Sequence, residues 1–172
     1  MRTSRHFRSL LAVIHLYETL ELSQLDYCST IWSPFYENHC EVLERIQRRF
    51  TRFVFRKFGF SYAEYGARCH VLNLLPLKKR RLLHDQMVLF SVVRSTITVN
   101  PAFSNIFIRT DRNTRSCDLF PEKTWRLNTS FNAPFPRMLR VHNRYFSSLD
   151  IFHLSRKKYK ELATDILWDL TL

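Results

Sequence analysis

The sequence predicts a mainly α protein: a small helical bundle, then an irregular, basic C-terminal half that ends in a helix. Three observations carry this. Hydrophobic residues make up 45% of the 172 residues, enough for a core. Only two glycines and six prolines are present, too few for the frequent turns of a sandwich or barrel. Apolar residues also recur at helical spacing over long segments. The expected division is a bundle over 1–97, an irregular extension over 98–154 and a terminal helix over 155–172, within the usual size of one domain. Fifteen phenylalanines make the expected core aromatic-heavy.

From the N-terminus, residues 6 to 22 place Phe7, Leu10, Leu11, Ile14, Tyr17 and Leu22 at helical spacing. Leu25, Tyr27 and the stretch Cys28 to Trp32 follow. Pro34 pushes Ser33 out of the helical region, so the chain turns there. The next helix is expected from Asn38 to Gly59. Asn38 with Glu41 fits a capping box, and Gly59 suits the left-handed residue that ends a helix. At about 100° per residue, Val42, Leu43, Ile46, Phe50, Phe53, Val54 and Phe58 fall on one side. Arg45, Arg48, Arg49, Arg52 and Arg56 gather on the other. Glu41 with Arg45, and Glu44 with Arg48, are spaced for helical ion pairs with the acid first. The two helices form an antiparallel pair with a loop of ordinary bundle length. Trp32, Ile46, Phe50 and Phe53 are expected in the core.

After Gly59 a short helix, Tyr62 to Leu72, puts Tyr62, Tyr65, Cys69 and Leu72 on one face. Leu74-Leu75-Pro76 interrupts it, and Pro76 suits the start of the next helix, Leu77 to Val93. That helix opens with Lys78, Lys79, Arg80 and Arg81. It then turns almost wholly apolar through Met87, Val88, Leu89, Phe90, Val92 and Val93, the pattern of a central helix. Residues 96–99 read as a brief strand and Asn100-Pro101 as a turn. Residues 109 to 148 lack sustained periodicity and contain Pro121, Pro134 and Pro136. The last helix runs from Ser155, a suitable cap, to Leu170, with Tyr159, Leu162, Ile166 and Leu170 on one face. Arg156, Lys157, Lys158 and Lys160 crowd its start.

Lys+Arg total 27 against 15 Asp+Glu, a net charge of +12. Such an excess favours a polyanionic partner, above all nucleic acid. Cations in the first turn of a helix oppose its dipole, and phosphates lying against the turn would relieve this. The basic starts at Lys78 to Arg81 and at Arg156 to Lys160 both fit that description.

No apolar run is long enough for a spanning helix, so no membrane partner is expected. The acid-poor, Arg-bearing start resembles a mitochondrial leader, but an intracellular location, nuclear or cytoplasmic, is preferred. Cys28, Cys40, Cys69 and Cys117 are far apart, so reduced thiols are the default. His39-Cys40 and Cys69-His70 suggest a zinc site at first sight. Neighbours on a helix diverge by about 100°, so both members of a pair seldom reach one ion, and no metal is expected. No two acids are adjacent, and there is no phosphate loop, HExxH or GxSxG. Neither catalysis by this chain alone nor a cofactor is expected.

One ordered series stands out: Leu16-Tyr17-Glu18-Thr19-Leu20, Leu25-Asp26-Tyr27, Ile31-Trp32-Ser33-Pro34, Leu43-Glu44-Arg45-Ile46-Gln47-Arg48-Arg49-Phe50, then Arg68-Cys69-His70-Val71-Leu72-Asn73-Leu74 and Arg80-Arg81. It resembles the region that follows the reverse transcriptase palm in non-LTR (LINE-type) retrotransposon polyproteins, especially those of invertebrates. Trp-Ser-Pro followed by the Glu-Arg-Ile-Gln-Arg-Arg-Phe helix is its most specific part. The likeness covers roughly half the chain and loosens beyond residue 95, where Arg112, Arg115 and Asn143 to Phe146 match faintly. It implies a thumb-like bundle that helps hold template and primer, RNA and DNA, through their backbones without sequence preference. Arg45, Arg48, Arg49, Arg52 and Arg56, then Lys78, Lys79, Arg80 and Arg81, are the residues expected to do so. The intact family is an RNA-directed DNA polymerase whose palm carries paired aspartates. This chain has no Asp-Asp, so it reads as a non-catalytic remnant that would need a palm in trans. A basic module for acidic proteins, or a remnant with no function of its own, is the alternative.

Overall fold

A computed structural model describes residues 8–94, 118–122 and 124–170. The expected strand at 96–99, the turn at Asn100-Pro101, and Phe7, Arg112, Arg115, Cys117 and Lys123 lie outside the described residues. Among the described residues all regular structure is helical, so the chain is mainly α. It divides into two compact units, Met1–Arg81 and Leu82–Leu172. The boundary between these units falls inside the helix Leu77–Val93.

In the first unit, Leu10–Leu16 continues through a π-helical stretch, Tyr17–Leu22, into a last α turn, Ser23–Asp26. Together these make α1. The π stretch changes which residues face inward. An i→i+5 turn holds one extra residue, so Leu22 joins Tyr17 on the buried side while Leu20 points outward. Earlier in the helix, Val13 is buried and Leu11, expected on the apolar face, is 77% exposed. The short α2, Ser29–Trp32, follows a left-handed Cys28 (φ 50°). Trp32 is not a core residue. It is 40% exposed, and its indole N–H donates to Tyr27 O at 2.6 Å, closing the turn around Cys28.

α3 runs Glu37–Phe58. The expected capping box is absent. Tyr36 takes the extended cap position, and Asn38 lies inside the first turn, where its Oδ1 accepts from His39 N at 2.9 Å. The other end matches the sequence reading: Gly59 is left-handed at φ 70°, and the N–H groups of Gly59 and Phe60 both reach Phe55 O. The Phe55 and Phe60 rings, 4.9 Å apart, add the apolar contact that accompanies such caps. α4 is Tyr65–Val71, shorter than expected at its start, and Tyr62 is almost fully exposed. The core of this unit joins Val13, Tyr17 and Leu22 of α1 to Phe50, Val54 and Phe55 of α3 and to Leu72, Leu74 and Leu77. At its centre Tyr17 and Phe50 stack at 3.8 Å and 8°. Phe53 packs at the edge of this core, and Ile46 is half-buried.

α5, Leu77–Val93, begins in the first unit and continues in the second. The second unit also contains α6 (Asn128–Phe131), α7 (Pro134–Val141, extended by π-helical His142–Phe146) and α8 (Arg156–Asp169). The expectation of irregular chain up to residue 154 is thus corrected for 128–146. Pro134 and Pro136 suggest a broken segment. Both sit in the first turn of α7, where an N–H has no intrahelical acceptor and its loss costs little. α8 starts as expected: Ser155 caps it, its Oγ accepting from Lys158 N at 3.3 Å. Its buried residues are Tyr159, Ala163 and Leu167.

A polar knot lies within this second core. Asp85 takes two hydrogen bonds from Arg137, at 2.8 and 3.1 Å. Next to Asp85 in sequence, Gln86 donates to Met138 O (3.2 Å) and meets His142 Nδ1 (3.1 Å) and the Tyr159 hydroxyl (3.5 Å).

Candidate nucleic-acid interface

α3 positions the arginines. Arg45, Arg49, Arg52 and Arg56 fall within an arc of about 60° on a helical wheel, and all four are exposed. None has a side-chain hydrogen bond or ion pair among the described residues. They extend over about 16 Å of helix, at 1.5 Å per residue. A duplex presents one negative charge per about 1.7 Å, so the strip is long enough to meet several phosphates.

Arg48 does not belong to this strip. It is half-buried, pairs with Glu41 at 3.2 Å and lies over the Tyr65 ring at 5.1 Å. The expected pairs, Glu41 with Arg45 and Glu44 with Arg48, are replaced by this one and by a different role for Glu44. The underlying reason is a rotation of the buried face. The inward side of α3 includes Glu44, Gln47 and Thr51 alongside Phe50 and Val54, whereas Val42, expected inside, is exposed.

Each of those buried polar groups has a partner. Glu44 accepts from the Tyr65 hydroxyl in a short hydrogen bond, from Leu77 N at 3.0 Å and from Lys78 N at 3.1 Å. Gln47 Nε2 donates toward Leu74 O and Leu75 O, at 3.4 and 3.1 Å, and toward Cys69 Sγ at 3.6 Å. Thr51 Oγ1 accepts from Arg68 Nε at 3.3 Å.

Glu44 decides the fate of the second expected patch. The first N–H groups of α5, which an external phosphate would use, already bind its carboxylate. Of the cations around them, three are engaged and the fourth, Arg81, is buried. Lys78 Nζ pairs with Glu37 at 3.1 Å and Arg80 Nε with Asp26 at 2.5 Å. Lys79 is likewise engaged, and Arg81 is only 5% exposed. The structure does not bring Lys78 to Arg81 together as an open anion site. At the start of α8, by contrast, Arg156, Lys157, Lys158 and Lys160 are all exposed and unpaired among the described residues.

The thiols have structural surroundings. Cys40 Sγ donates to Pro34 O at 3.3 Å, and burial pushes the Cys69 thiol above its ordinary range. His39 and His70 are exposed, His39 edge-on to the Tyr36 ring at 5.8 Å. Among the described residues no group of three or more His, Cys, Asp or Glu could hold a metal ion. No described helix is long and apolar enough to cross a membrane.

The buried roles of Glu44, Gln47 and Thr51 are not among the sequence-based expectations, although a signal is present. Over residues 43–58 every other residue is apolar or basic, and the three at i, i+3 and i+7 trace a single polar stripe. Such a stripe marks a polar seam against neighbouring chain. Comparison of the chain with protein-family models, curated proteins and solved structures finds no match.

Proposed function

We propose that this chain is a non-catalytic, nucleic-acid-binding piece of a non-LTR retrotransposon reverse transcriptase, one that grips the backbone of template and primer. The family part rests on the ordered motifs between Leu16 and Arg81. The binding part rests on one observation: four exposed arginines, Arg45, Arg49, Arg52 and Arg56, aligned on α3 without partners among the described residues. Binding of this kind is dominated by phosphate contacts and carries no sequence preference.

The salt dependence of binding tests it. Affinity for a mixed-sequence RNA·DNA hybrid is measured by fluorescence anisotropy between about 50 and 200 mM salt. Each lost phosphate contact lowers the slope of log K against log salt by about 0.9, so R49A/R52A is expected to lose about 1.8. R48A, already tied to Glu41, serves as the control with a smaller change. A slope unchanged in R49A/R52A removes the strip from the interface. The family assignment has its own test, a palm-coding frame with an Asp-Asp motif in the genomic DNA just upstream.

A second reading has an observation in its favour. Tyr27, Ile31, Trp32, Phe35 and Tyr36 are all exposed within ten residues of chain, a concentration that suits docking onto a folded protein such as a palm in trans. Negligible affinity for oligonucleotides at moderate salt, with a specific protein co-purifying, would favour it.

A further inference from the structure

The α3 strip offers guanidinium groups, which meet phosphates or carboxylates. Between its arginines lie no exposed aromatic rings. The second unit offers the complementary chemistry. Over residues 124–131 every described side chain except Ser130 is exposed, including Trp125 at 43%, Leu127 at 65% and Phe131 at 40%. Arg126 sits between the two aromatic residues in sequence. Arg140 Cζ lies 3.4 Å from the Phe131 ring centroid while its Nη1 donates to Phe131 O at 2.6 Å. Arg144 lies exposed over the Tyr145 ring at 5.2 Å.

This arrangement is held in place from beneath. Asn132 Nδ2 donates to Asn128 O at 2.9 Å, and Arg137 Nη1 donates to Asn132 O at 3.2 Å. Arg137 in turn is fixed by buried Asp85. Phe131 is thus presented on a strapped turn at the end of α6, six residues after Trp125. Trp125 and the part of Phe131 that Arg140 does not cover can meet an occupant with flat apolar faces, and Arg126, Arg140 and Arg144, against Glu122 as the acid beside Arg140, favour an anionic one. Unpaired nucleobases on a sugar–phosphate chain meet both demands: bases stack on the rings and phosphates meet the guanidinium groups. A closed duplex meets only the second.

We propose that residues 125–131 and the exposed side of α7, with Trp125 and Phe131 as stacking surfaces and Arg126, Arg140 and Arg144 as phosphate contacts, form a binding site for single-stranded nucleic acid. It uses none of the residues of the α3 strip, and it does not depend on the reading given to that strip.

The test compares a labelled oligo(U) and oligo(dT) with a blunt mixed-sequence duplex, using the full chain and fluorescence anisotropy at fixed salt. W125A/F131A is expected to weaken single-strand binding by about 30-fold or more, the equivalent of one to two lost stacks, and to leave duplex affinity within about twofold. W125F, which keeps a ring, is expected to restore most of the loss in W125A; this separates stacking from local unfolding. R45A/R49A/R52A/R56A is expected to spare single-strand binding more than W125A/F131A does. The proposal is overturned if both ligands weaken together in W125A/F131A, or if W125A binds single strands as the wild type does. It is also overturned if the wild type takes up polyglutamate but not oligo(U) or oligo(dT), which would make the surface a protein-docking site.

Discussion

Replacing Glu44 tests the account of the first unit most directly. Its carboxylate is buried and accepts from the Tyr65 hydroxyl, Leu77 N and Lys78 N, joining α3 to α4 and to the start of α5. Hydrogen bonds to a charged group contribute about 1.5–3 kcal/mol each, and a buried donor left alone costs about 1–3 kcal/mol. Three such bonds do not add independently, because Lys78 N lies where water can replace part of the loss. E44A is therefore expected to destabilise the fold by about 3–5 kcal/mol, with E44Q roughly half of that, since its amide retains one acceptor but brings an NH₂ toward donors. Y65F alone should cost about 1–2 kcal/mol. In a double-mutant cycle, E44A and Y65F should fall short of additivity by about 1 kcal/mol or more, since the second substitution removes a bond already lost. The measurement is urea unfolding followed by far-UV circular dichroism, with midpoints compared at constant slope. An E44A loss under about 1 kcal/mol, or strict additivity with Y65F, would refute the claim that this carboxylate organises the start of α5.

Other outcomes follow from the same structure. Phe50→Ala removes a ring stacked on Tyr17 at the centre of the first core, with an expected cost of about 3–5 kcal/mol in the same assay. Gly59→Ala meets no steric neighbour, so its cost is that of a left-handed backbone alone, about 1 kcal/mol. Burial lowers the His142 pKa from 6.5 to about 4. Between those values the unfolded chain binds a proton that the folded chain does not. Stability contributed by neutral His142 is therefore complete above about pH 6.5 and falls as pH drops toward 4, by roughly 3 kcal/mol in all. Urea midpoints measured from pH 7 to 4 should show this decline in the wild type, and H142N should have a flatter profile whatever its stability at pH 7.

The helices of the first unit, α5 and α8 are legible in the sequence because apolar period, Gly59, Pro76 and Ser155 all act locally; α6 and α7 are not, because Pro134 and Pro136 read as breaks. Reading the inward face is harder. On α3 the apolar residues centre near Ile46 and Phe50, yet the buried side turns toward Glu44, Gln47 and Thr51. Hydrogen bonds to Leu74, Leu75, Leu77 and Lys78 outweigh the extra apolar area that a different rotation would bury. Those partners lie 27 to 34 residues away, beyond the reach of any local pattern. The same distance hides the neutralisation of Lys78 and Arg80, whose acids stand 41 and 54 positions earlier. The π-helical stretch in α1 has no sequence mark beyond the five-residue spacing of Tyr17 and Leu22. The arginine strip is legible because Arg45, Arg49, Arg52 and Arg56 recur on one side of the helix, opposite Phe50 and Val54. Arg48 is the exception, since its contact with the Tyr65 ring depends on where α4 packs.

Gln47 sets the angle at which the arginines leave the molecule. Its amide is asymmetric, donating to two carbonyls and accepting from the Tyr17 hydroxyl at 3.5 Å. Sliding α3 by one turn would bring Leu43, Glu44, Phe50 or Thr51 opposite those carbonyls, and none of these can donate twice. Neither can the helix spin, because the Tyr17 hydroxyl would lose its acceptor. A single amide thus acts as a key with one orientation, and it fixes the azimuth of Arg45, Arg49, Arg52 and Arg56 from the opposite side of the helix. The aim of the charged surface is set in the interior.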